Sequence, residues 1–99
     1  MNKNIVIPKD KVADFCRRHH IRRLAVFGSA LHDDFAPDSD IDILVEFEHG
    51  HVPGFEFFAI QDKLSQLLGR KVDLNTEGFL SRYFRDQVKQ QAEVQYVKN

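Results

Sequence analysis

The sequence has little of what would take it out of the ordinary globular class. It holds one cysteine, Cys16, in 99 residues, which excludes an internal disulfide and fits a reducing compartment. No apolar run approaches the ~18 residues of a membrane-spanning helix. Met1-Asn2-Lys3-Asn4 leads into only three apolar residues before Pro8, unlike a secretory leader, so a cytoplasmic protein is expected. An excess of one charge is also lacking: 14 Lys and Arg against 15 Asp and Glu leave a net charge of -1. Such a chain has no global field to capture a polyanion, and general nucleic-acid binding is disfavoured. Repeats and low-complexity linkers are absent. What is present is 42% hydrophobic and 29% charged, the balance of a soluble globular protein. The length suits one domain over 1–99 with one modest core.

Along the chain, helical and strand patterns alternate. Val12, Phe15, Cys16 and His19 recur at i, i+3, i+4, i+7 after Pro8, predicting an amphipathic helix to about His19. Ile21 to Phe27 reads as the first strand and Asp40 to Phe47 as the second. The Gly and Pro content of 48–54 marks a loop. From about Phe55 a helix places Phe57, Ile60, Leu64 and Leu67 on one face, with Gly69 where a left-handed cap is expected. Lys71 to Asn75 is the third strand. Thr76 caps or precedes a last helical region in which Leu80, Phe84 and Val88 recur. The tail, Ala92 to Val97, fits either a frayed helix or an edge strand. The expected architecture is α/β (α+β), a mixed sheet of three to four strands flanked by helices.

The chemistry concentrates between residues 28 and 42. Leu24-Ala25-Val26-Phe27 ends in Gly28-Ser29, small residues that let the backbone approach a ligand closely. A helical turn beginning at Ser29 would aim free backbone N–H groups at phosphate oxygens. Ten residues later come Asp40-Ile41-Asp42. Strand alternation points both Asp side chains off one face, opposite Ile41, Ile43, Val45 and Phe47. At i and i+2 the two charges stand about 6 to 7 Å apart and repel by roughly 2 to 3 kcal/mol, which favours a bound cation. Hard oxygen ligands suit Mg2+ or Mn2+ together with substrate phosphates. The competing reading is of ordinary solvent-facing Asp residues at a strand start. A calcium loop beginning at Asp38 is rejected, because its sixth and twelfth positions hold Ile43 and His49 where Gly and Glu are needed.

Phe27-Gly28-Ser29-Ala30 followed by Pro37-Asp38-Ser39-Asp40-Ile41-Asp42-Ile43-Leu44-Val45 resembles the signature of the DNA polymerase beta-like nucleotidyltransferase superfamily. The small size resembles its minimal nucleotidyltransferases. The resemblance implies a small nucleotidyltransferase fold and a third metal-binding carboxylate on a later strand, for which Asp73 in Arg70-Lys71-Val72-Asp73-Leu74 fits, with Val72 and Leu74 as core candidates. It implies transfer of AMP from ATP to a hydroxyl, with two Mg2+ ions (or Mn2+) held by Asp40, Asp42 and Asp73, and with Gly28 and Ser29 holding phosphates. Minimal nucleotidyltransferases of this form are typically paired with an all-helical HEPN ribonuclease toxin, on which the nucleotidyltransferase antitoxin adenylylates a tyrosine. The resemblance therefore also implies a hetero-oligomer with that partner. Two other functions compete: an antitoxin that neutralises its partner by binding alone, which three intact carboxylates argue against, and a transferase acting on a small molecule such as an aminoglycoside. Many relatives carry basic residues where this chain has Ala36 and about where it has His32, so less positive charge is expected beside the phosphates.

Other clusters have simpler explanations. Arg17 and Arg18 complement the negative end of the first helix, and Arg22 and Arg23 are solvated. His49 and His51 lack a third soft ligand and read as loop residues. Phe55, Phe57, Phe58, Phe79, Tyr83 and Phe84 exceed what one small core obviously holds, so either all close the core or some form a partner surface.

Overall fold

The first apolar stripe folds as α1 (Lys9–Arg18), which buries Val12, Phe15 and Cys16. The computed structural model describes residues 6–31, 39–80 and 82–98, apart from the side chains of Ser29 and Phe79. Pro8, which has no N–H to satisfy, supplies the carbonyl that accepts the Val12 N–H at 2.9 Å. His19 lies just past α1 and tilts its ring against Phe15 with centroids 4.5 Å apart. Burial among these apolar groups pushes the Cys16 thiol up to about 12, so this cysteine packs as a hydrophobe.

β1 (Ile21–Phe27) follows and runs into a tight helical turn at Gly28–Leu31. β2 (Ile41–Phe47) lies antiparallel to β1. It starts one residue later than the sequence pattern suggests, because the first ladder bond is donated by the Ile41 N–H to Lys71 O at 2.9 Å. α2 (Glu56–Leu68) then crosses back, burying Phe57, Ile60 and Leu64, and ends at Gly69 in the left-handed conformation, φ 69°. This lets β3 (Val72–Asn75) run parallel to β2.

Beyond β3 the pattern misleads. Leu80 belongs to the end of a short turn at Glu77–Phe79, outside α3 (Arg82–Gln91), and α3 buries none of its described residues. The open question of the tail is resolved as a strand: β4 (Glu93–Val97) pairs antiparallel with β1. The result is a four-stranded mixed sheet in the order β3-β2-β1-β4.

Register divides the sheet into two faces. Val26 with Ile43, Leu24 with Val45, and Ile41 with Val72 form rows that pack against α1 and α2. The opposite face carries Phe27, Asp42 and Asp73 in one row and Ala25, Leu44 and Asn75 in the next. A bond of 2.7 Å from Lys89 Nζ to Glu77 Oε1 ties α3 to the turn after β3. No described helix is long and apolar enough to cross a membrane. The aromatic question divides: Phe57 is buried, whereas Phe55, Phe58, Tyr83 and Phe84 are exposed.

Candidate active site

Two carboxylates meet because two strands meet. Asp42 on β2 is the direct register partner of Asp73 on β3, and in a sheet such partners project from one face with Cβ atoms about 5 Å apart. Their carboxyl groups share a hydrogen bond. Burial first, then the Asp73 charge and that hydrogen bond, and last the Asp40 charge, push the Asp42 carboxyl up to about 6. Such a group is short of positive charge. Asp40 sits in the segment just before β2, outside the strand, half-buried, with Lys71 Nζ 3.9 Å from its Oδ2.

The turn after β1 closes the other side of Asp42. Gly28 has φ 73°, and a Cβ built there would overlap Asp42 Oδ2 and stand 3.2 Å from its Cγ. Glycine is therefore needed twice over, for the left-handed backbone and for the close approach. The Ser29 side chain, and with it the expected hydroxyl contact to phosphate, lies outside the described structure, as do His32, Ala36, Pro37 and Asp38. The structure thus brings Asp42, Asp73 and Gly28 together, with Asp40 at the rim.

The donor set fits a hard divalent cation. A half-buried carboxyl with a raised pKa against a second carboxylate gains most from one, and Mg2+ needs only one or two protein carboxylates beside substrate phosphates. Among the described residues no group of three His, Cys, Asp or Glu is gathered tightly enough to enclose an ion unaided. Substrate oxygens would have to complete the shell.

Two further residues were missed in the sequence. β3 is an edge strand, and its outward N–H groups are taken up by α2: Val72 N–H donates to Ser65 Oγ at 2.9 Å and Leu74 N–H to Gln61 Oε1 at 3.0 Å. These bonds bracket Asp73 and fix the strand that carries it. Their only trace in the sequence is a polar i, i+4 pair beside the apolar stripe of α2.

The nucleotidyltransferase domain family model matches residues 9–98, and the chain belongs to that family. It is 30% identical over 92 residues to MJ0435 of Methanocaldococcus jannaschii, provisionally named a protein adenylyltransferase, spanning 93% of this chain and 96% of that one. It is 41% identical over 58 residues to the protein adenylyltransferase MntA of Thermococcus cleftensis, spanning 58% and 57% of the two chains. Among solved structures, one provisionally described as a minimal nucleotidyltransferase superposes with a TM-score of 0.71 at 36% identity, covering 85% of each chain. Two more distant ones share the fold. A toxin-antitoxin with AMP-PNP gives a TM-score of 0.74 at 22% identity, covering 94% of this chain and 76% of that one. The complex of a tri-AMPylated Shewanella oneidensis HEPN toxin with an MNT antitoxin gives 0.66 at 23%, covering 91% and 70%.

Proposed function

We propose that this chain transfers AMP from ATP to a hydroxyl of another protein, a tyrosine of a cognate HEPN ribonuclease toxin, and so serves as the antitoxin of a hetero-oligomeric pair. The observation that carries the reading is the row of Asp42 and Asp73 on adjacent strands, with Gly28 packed against the first. The adenylyltransferase names of the relatives and the AMP-PNP and AMPylated HEPN neighbours support it. The whole of 1–99 is read as one domain, acting in the cytoplasm.

The chain's own groups take the following parts. Backbone N–H groups of the turn at Gly28–Leu31 hold the β and γ phosphates in line, with the Ser29 hydroxyl as a further donor. Asp40, Asp42 and Asp73 would hold Mg2+, or Mn2+, which when bound polarises the acceptor oxygen and neutralises the departing pyrophosphate. Asp73, exposed and level with Asp42, accepts the proton of the incoming hydroxyl. The bond from the α-phosphorus to the bridging oxygen of pyrophosphate breaks as the bond to the acceptor oxygen forms.

Pyrophosphate release from ATP and Mg2+ in the presence of the HEPN partner tests this. Asp40→Asn, Asp42→Asn or Asp73→Asn should each slow release at least ~100-fold while leaving partner binding in place. Full activity in the Asp40 or Asp42 variant would overturn the mechanism.

A further inference from the structure

The sheet face that carries the carboxylates also carries an apolar cleft that the proposed chemistry leaves unused. Phe27 is the register partner of Asp42 on the β1 side, as Asp73 is on the β3 side. Beyond Phe27 and Gly28, a cleft of about 340 Å³ opens against Phe84, Gln87, Val88 and Gln91 of α3. Those four positions fall at i, i+3, i+4 and i+7, so they form one stripe of the helix. The cleft is of the size that small ligands occupy. It combines two aromatic rings with two carboxamides and has no cation among its described lining residues, so it is better suited to a flat heterocycle than to phosphate.

Position decides which heterocycle. Neighbouring strands lie about 4.8 Å apart, so Phe27 stands one strand from Asp42, within reach of a nucleoside whose α-phosphate lies over that carboxylate. An acceptor side chain is excluded there, because in-line displacement brings the acceptor from the side opposite the leaving pyrophosphate, and the pyrophosphate lies at Gly28. The base of the nucleotide remains. We infer that the cleft between Phe27 and α3 is the nucleobase subsite, where adenine stacks on Phe84 and Phe27 and offers its N6 and N7 edge to the carboxamides of Gln87 and Gln91. Gln pairs with adenine in that bidentate manner, whereas guanine presents two acceptors at the same edge. The inference rests on the function proposed above and adds to it the groups that choose ATP.

Calorimetric titration of the full chain with Mg-ATP, Mg-GTP and Mg-tripolyphosphate separates base from phosphate. Phe84 is 60% exposed and Gln87 and Gln91 are exposed, so their substitution spares the core. Phe84→Ala should weaken Mg-ATP at least about fivefold, the low end of base-stacking effects, and leave tripolyphosphate unchanged. Phe84→Trp should restore ATP affinity. The double variant Gln87→Ala, Gln91→Ala should lose the wild-type preference for ATP over GTP. The subsite is overturned if Phe84→Ala leaves ATP affinity intact, if it weakens ATP and tripolyphosphate equally, or if wild type binds tripolyphosphate as tightly as ATP. A wild type that binds neither ATP nor tripolyphosphate overturns the function proposed above as well.

Discussion

At the scale of single residues, Asp42 carries the tension of the site. Its carboxyl sits at about 6 in the folded protein, above the value near 3.9 of an unfolded chain. The folded state therefore holds this proton more tightly, and stability falls as pH rises from ~4 to ~6 before levelling off. Asp42→Asn removes that penalty. With solvent screening discounted, the gain at pH 7 in EDTA is about 1 kcal/mol, or ~4–8 °C in melting temperature, and it disappears near pH 4. Calorimetric melting at the two pH values checks this, and equal melting temperatures for variant and wild type at pH 7 would contradict it. Loss of transfer with a gain in stability is the signature of a group retained for chemistry. On the proposed mechanism Mg2+ competes with a proton at Asp42, so its affinity should weaken as pH falls through 6, measurable by titration calorimetry. Gly28→Ala is expected to reduce turnover roughly 100-fold with the fold intact by circular dichroism, because the new methyl displaces the Asp42 carboxylate.

At the scale of elements, the site depends on an edge strand of four residues held by a helix. Gln61→Ala and Ser65→Ala leave the Leu74 and Val72 N–H groups without their partners, at about 1–3 kcal/mol each. Amide exchange at Leu74 and Val72 should quicken in these variants, and transfer should slow through a lower kcat, since Asp73 moves with its strand. Unchanged exchange would show that the clamp is idle. The same elements mark what the sequence could tell. Asp42 was legible because alternation within β2 is local, and Val72 and Leu74 flanked Asp73 with apolar residues. The meeting of Asp42 with Asp73 was expected only through the family resemblance, because a parallel register is set across the α2 crossover and leaves no local pattern. Asp40 was read into the strand and lies just before it, since alternation does not show where ladder bonds begin. The helix pattern of Leu80, Phe84 and Val88 implied burial that α3 does not have, and the tail became a strand only because β1 offered it a free edge.

At the scale of the whole molecule, the two sides of the sheet do different work. One packs α1 and α2 into the core, and the other presents the carboxylates beside α3. Phe55 and Phe58 beside and on α2 and Tyr83 on α3 remain exposed, and aromatic residues are enriched where proteins meet. The proposed chemistry requires an acceptor hydroxyl from elsewhere, and a partner protein that covers such surface would bring it. Intact-mass spectrometry of the HEPN partner after incubation with this protein, ATP and Mg2+ tests the central claim most directly. A mass gain of one or more AMP groups on a tyrosine is predicted with wild type and none with Asp42→Asn. An unmodified partner that is nonetheless neutralised by the wild-type protein would contradict it and leave binding alone as the antitoxin mechanism.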